Sequence, residues 1–154
     1  MSIEQAKHVF SEIAKHLGIP GGTLNEQGMC KIRLAQKWLP SINVCYINRD
    51  NSLLFFAEVG QIPADKELNI LRDLMHHQFL FSDSSGITFS LSPDTNSLTV
   101  QLKQDISLLD VHDFCETLRI FVQETADARI ALFKEDDDEN AIGANANNIS
   151  FLRA

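Results

Sequence analysis

His76-His77, the cysteines Cys30, Cys45 and Cys115, the glycines Gly18, Gly21 and Gly22, and the acidic run Glu135-Asp136-Asp137-Asp138-Glu139 are the places where this chain has side chains that could do chemistry. None of them completes a constellation. Adjacent residues on a helix point about 100° apart, so His76 and His77 cannot hold one ion from one face, and helical ligands come at i, i+4. His8 and His16 stand eight apart in the first helical segment, with no histidine-and-carboxylate set around them. Each cysteine falls at an apolar pattern position, whereas a nucleophilic thiolate needs exposure and a polarising base. Core packing is the favoured reading for all three. Gly18, Gly21 and Gly22 follow no strand and precede no Lys-Ser/Thr pair, which makes them turn glycines and not a phosphate loop. The acidic run lacks the alternating ligands and terminal glutamate of a calcium loop. The chain therefore reads as a protein with no metal, no cofactor and no catalytic residues.

Bulk composition narrows the classes further. At 154 residues and 44% hydrophobic content there is material for one domain with a real core. Thirteen basic against 21 acidic residues give a net charge of -8 and a pI near 5.0, a field that repels nucleic acid and anionic membrane. No apolar run approaches the ~18 residues of a spanning helix, and no signal-type segment opens the chain, so it is expected to be soluble and to stay where it is made. The odd cysteine count, with no CxxC pair, points to a reducing cytosol.

The element pattern is built around Ser52-Leu53-Leu54-Phe55-Phe56-Ala57-Glu58-Val59, a strand closed by Gly60 and Pro63. Alternation puts Leu53, Phe55, Ala57 and Val59 on one face and Leu54, Phe56 and Glu58 on the other, so both faces are apolar. The preceding run Asn43–Asn48 behaves alike, with Val44 and Tyr46 opposite Cys45 and Ile47, and Arg49-Asp50-Asn51 is the turn between the two strands. Upstream, Ser2–Leu17 forms an amphipathic helix opened by a Ser2/Gln5 capping box and stopped by Gly18. Met29–Leu34 alternates Cys30, Ile32 and Leu34 against Lys31 and Arg33, and the connector carrying Trp38 has no assigned structure. Downstream, a second helix runs from Pro63/Asp65 to about Leu80. Ile87–Leu91 and Leu98–Lys103 make a hairpin, and a third helix opens at Ser107, with Asp110 three residues on, and reaches Leu132. The expected fold is α+β, of order α-βββ-α-ββ-α, with three helices on a mainly antiparallel five-stranded sheet in residues 1–133. Residues 134–154 are expected to form an acidic, disordered tail. One helix layer covers one face of a sheet, so the second apolar face must meet a partner, a second copy or the middle helix.

This order resembles the class I chaperones of bacterial type III secretion, which hold virulence effectors before export. The resemblance covers roughly residues 3 to 132. It is carried by Leu17-Gly18-Ile19-Pro20, by the lead-in Leu24-Asn25-Glu26-Gln27-Gly28-Met29-Cys30-Lys31-Ile32, by Val59-Gly60-Gln61-Ile62-Pro63, and by Leu91-Ser92-Pro93-Asp94. It implies a cytoplasmic bacterial homodimer without enzymatic activity or nucleotide, which binds a largely unfolded N-terminal effector segment, with the secretion ATPase as a further partner. The dimer contact it implies is Leu71, Leu74, Met75 and Gln78 of the second helix with Ile87 and Phe89 of the hairpin. Candidate effector-binding residues are Phe10, Cys30, Ile32, Leu34, Val44, Tyr46, Leu54 and Phe56, with the Leu54/Phe56/Glu58 face favoured because a carboxylate is costly in a dry core. Two alternatives stay open: a regulator of the same fold that sequesters a transcription-control protein, and a small-molecule-binding α+β domain whose pocket would use Glu58.

Overall fold

The computed structural model describes residues 2–81, 86–133 and 151–153. Helix α1 (Ile3–His16) begins where the sequence places it. The Ser2 side chain accepts from the Gln5 backbone N–H at 3.4 Å while Gln5 Oε1 accepts from the Ser2 N–H at 2.8 Å. Its end is a Schellman motif: Gly18, at φ 66°, lets the Ile19 N–H reach Ala14 O at 2.8 Å and the Gly18 N–H reach Lys15 O at 3.1 Å.

Strands β1 (Met29–Leu34), β2 (Ile42–Ile47) and β3 (Ser52–Gln61), helix α2 (Glu67–His77), strands β4 (Thr88–Leu91) and β5 (Ser97–Asp105) and helix α3 (Val111–Phe133) follow in the predicted order. A last short strand, β6 (Phe151–Arg153), comes after them. The sheet runs β4-β5-β3-β2-β1-β6 with every pairing antiparallel. β6 takes in three residues of the segment that the sequence reads as a disordered or loosely attached tail. An edge strand presents unpaired N–H and C=O groups, and the chain's own end takes some of them up on β1. Residues 134–150 and 154, the rest of that expected tail, lie outside the described residues.

β3 is paired on both sides, Phe55 opposing Val44 of β2 and Leu102 of β5. Its inward face, Leu53, Phe55, Ala57 and Val59, is fully buried. The Phe55 ring lies 6.4 Å from Phe10 of α1 and 5.1 Å from Phe114 of α3, so both helices cover the same side of the sheet. α2 joins them there. His77 Nε2 meets Glu124 Oε2 of α3 at 2.9 Å, the His77 ring lies 6.0 Å from that of Phe89, and Gln78 Oε1 accepts from the Phe89 N–H at 3.0 Å. The middle helix thus does not fold over the second face, and no residue of it is buried.

Two boundaries differ from the sequence reading for identifiable reasons. The third helix does not open at Ser107, because the Asp105 carboxylate accepts the Ser107 N–H at 2.8 Å and holds residues 106–108 in a 3-10 turn. Asp110 is the N-cap instead, accepting from the His112 and Asp113 N–H groups at 2.9 and 3.1 Å. The second helix stops at His77, short of Leu80, whose φ of 54° is left-handed. At its far end α3 is tied to β3: the Arg129 guanidinium donates to Val59 O and stacks over the Phe133 ring. That ring comes so close to Gly60 that a Cβ there would meet it at 3.1 Å.

Candidate functional site

With all three helices on one side, the other side of the sheet is left to alternate side chains of each strand. The cross-strand registers arrange them in rows. One row runs Met29, Cys45, Leu54, Lys103, and the next Lys31, Asn43, Phe56, Gln101, Thr88. Cys45, Leu54 and Phe56 are half-buried and Met29 is exposed, so the centre of this face is apolar without being dry. It is also concave. A depression of about 740 Å³ is bounded by Thr23, Asn25, Met29, Lys31, Arg33, Asn43, Cys45, Leu54 and Phe56. Beyond Leu54 a second hollow of about 480 Å³ reaches Ile47, Arg49, Asp50, Gln101 and Lys103.

The charges on the rim have a bias. Among the described residues, Lys31, Arg33, Arg49 and Lys103 border the two hollows against one acid, Asp50, on a chain whose net charge is -8. Asp50 is itself held between cations, 2.9 Å from Arg49 Nε and 2.6 Å from Lys103 Nζ. The hydrogen bond from Arg49, then that from Lys103, hold its carboxyl down to about 2. Glu58 stays in solvent, accepting from the Thr95 hydroxyl at 3.1 Å, as its place on this face requires.

The eight candidate contact residues divide. Leu54 and Phe56 line the depression, and Cys30 and Val44, paired across β1 and β2 in the row of inward-facing Phe55, reach its border. Phe10, Ile32, Leu34, Val44 and Tyr46 are buried in the helix-covered core. The strand residues among them alternate as read from the sequence and take the helix-covered side, facing Phe10 of α1. Because Val44 opposes Phe55 while Cys45 opposes Leu54, it is Cys45 and Ile47 that face out, together with Met29. The signal that could have found them is the short Asn48–Asn51 connection, which fixes the β2–β3 register.

A second apolar surface lies on α2 and the short 3-10 segment after it, residues 79–81. Leu68, Met75, Phe79 and Leu80 are 68%, 56%, 66% and 79% exposed, at spacings that put the helical ones on one stripe beside half-buried Leu71 and Leu74. Of the six dimer candidates, Met75 is on this stripe, Leu71, Leu74 and Gln78 flank it, and Ile87 and Phe89 are buried in the core of the single chain. The sequence reading placed Leu68 and Phe79 on the helix without assigning them a contact.

Burial pushes the Cys30 and Cys115 thiols up, away from the thiolate form a nucleophile needs. Among the described residues no three His, Cys, Asp or Glu side chains come together in a metal-holding group, and His77 is engaged with Glu124.

The sequence profile of the Tir chaperone protein (CesT) family matches residues 8–129, from the second turn of α1 to the last turns of α3. The chain belongs to this family. The resemblance seen in the sequence is therefore shown, and so is the fold. The ExsC–ExsE complex contains a chain with TM-score 0.67 and 16% identity, the alignment covering 84% of this chain and 95% of that one. The HopA1–SchA chaperone–effector complex gives 0.68 and 12%, over 84% and 96%. The ExoU–SpcU complex from the type III secretion system of Pseudomonas aeruginosa gives 0.65 and 14%, over 80% and 97%. No curated protein sequence matches the chain. At such identities the neighbours share the fold, and the CesT-family match carries the chaperone class. Among the described residues no helix is long and apolar enough to cross a membrane.

Proposed function

We propose that this CesT-family protein is a cytoplasmic, non-enzymatic homodimeric chaperone that binds the N-terminal segment of a type III secreted effector and keeps it partly unfolded for export. The family match over residues 8–129 carries this reading. Two surfaces support it. The concave sheet face around Leu54 and Phe56 offers apolar hollows for side chains of an extended client, and its basic rim suits an acidic or mixed-charge segment. The apolar surface of Leu68 and Met75 on α2, with Phe79 just beyond its end, is the kind that monomers rarely leave in water, and a second copy would cover it.

The test is co-expression with effectors encoded in the same genome, each truncated to its N-terminal segment. A stable complex containing two copies of this 17.3 kDa chain per effector segment, with the segment still open to protease at its exposed stretches, is the expected result. Failure of every effector to co-purify, with the chain remaining folded, would remove the reading.

A further inference from the structure

β4 is one edge of the core sheet and β1 the other, and in this structure the chain fills the β1 edge with its own C-terminal strand. β6 pairs antiparallel with β1 through Arg33↔Arg153 and Leu34↔Phe151, with a register slip between Arg33 and Leu34. Residues 134–150, seventeen in number, connect it back to α3. The same edge borders the 740 Å³ depression, since Met29, Lys31 and Arg33 of β1 lie on that rim. An extended segment that took this edge would gain main-chain hydrogen bonds from β1 and set alternate side chains toward the depression, the combination that gives strand addition its affinity and its selectivity.

We infer that residues 151–153 are a built-in competitor for the β1 edge, which an incoming effector strand must displace. The inference rests on the chaperone reading for the identity of the incoming strand. Occupancy by the chain's own end has two physical consequences. It keeps an edge that is otherwise a template for aggregation from meeting other chains before a client arrives. It also lowers the apparent affinity of any incoming strand by the fraction of molecules whose edge is empty. A tether of this length presents β6 at an effective concentration on the order of millimolar. A three-residue, register-slipped strand pairs weakly, so docked and undocked states are comparable in population. The resulting penalty is about two- to ten-fold in affinity: enough to favour a long effector strand over short peptides, and too little to block it.

The probe is a fluorescein-labelled synthetic peptide, Asn147–Ala154, titrated into the full chain and into the full chain carrying Phe151→Pro and Leu152→Pro. Consecutive prolines remove the N–H donors of that strand without touching the helix-covered core. Circular dichroism checks that both proteins are folded, and hydrogen exchange over Met29–Leu34 reads the edge itself. The expected result is saturable peptide binding about two- to ten-fold tighter in the proline variant, with faster exchange at Arg33 and Leu34 when peptide is absent. Equal affinity for the two proteins, or no saturable binding to either, or unchanged exchange at Arg33 and Leu34, overturns the inference. Because no effector is present, any of those outcomes leaves the chaperone reading standing, and failure of effector capture would leave this result standing in turn.

Discussion

Phe55 and Phe56 are neighbours in sequence and opposites in structure, and replacing each with alanine or aspartate separates the core from the proposed client surface. Phe55 is fully buried, with Phe10 and Phe114 at 6.4 and 5.1 Å. Removing its ring costs the transfer of a large apolar side chain plus a cavity that two anchored rings cannot close, about 3–5 kcal/mol. For a chain of this size each kcal/mol moves the melting temperature by about 2–4 °C, so Phe55→Ala is expected to melt roughly 6–20 °C below the parent. Phe55→Asp adds an unpaired buried carboxylate worth several kcal/mol more, together comparable to the ~5–15 kcal/mol of a whole domain. It should be unfolded at room temperature. Phe56 is half-buried on the open face, in a row with Asn43, Gln101 and Lys31, where a carboxylate stays hydrated. Phe56→Asp should therefore lower the melting temperature by only a few degrees, keep its circular dichroism spectrum, and lose effector capture in a pull-down. The assays are thermal melts followed by circular dichroism and capture of a matched effector segment. Melting of Phe56→Asp as low as Phe55→Asp would refute the assignment of the two faces.

Met75→Glu and Phe79→Glu alter residues that are 56% and 66% exposed, so light scattering should show the mass fall from about twice 17.3 kDa to the monomer while the helical signal is kept; half-buried Leu71→Glu should cost stability as well. Asp110→Ala removes the side chain that caps α3, and a loss of about 0.5–2 kcal/mol is expected in urea denaturation. The folded-state pKa of Asp50, about 2, lies below the ordinary aspartate value of 3.8, so its ionised form is the stabilising one. That contribution is complete above about pH 4 and disappears as the pH falls toward 2. Asp50→Asn should flatten this acid limb of the melting-temperature profile and leave its neutral region lower and parallel.

Local signals were legible where one short segment holds both halves of an interaction. Ser2 with Gln5, and Gly18 after Leu17, fix both ends of α1, and the alternation through Leu53–Val59 shows a strand with two apolar faces. Ser107 looked like a cap by the same logic and was not one, because Asp105 two residues earlier competes for its N–H. Which side each candidate contact residue takes depends on registers. Nothing within Asn43–Asn48 says which of its two apolar faces meets the helices; that depends on Val44 standing opposite Phe55 across a turn. Ile87 and Phe89 enter the dimer contact only through the family resemblance, and within the single chain both are buried, Phe89 against α2 and α3. β6 was invisible for a different reason. Three residues carry no period, and what orders them is the unpaired main chain of β1, more than a hundred residues away in sequence.

The cysteines give the most direct measurement of the central claim, that the effector segment lies on the helix-free face of the sheet. Cys45 is on that face beside Leu54, Cys30 is at its border, and Cys115 is buried in α3. Alkylation by iodoacetamide, read by mass spectrometry for the free chain and for its complex with a bound effector segment, reports all three at once. The account predicts that Cys45 is modified in the free chain and protected by about ten-fold or more in the complex, with Cys115 unreactive in both. Equal Cys45 reactivity with and without a saturating effector segment would contradict it.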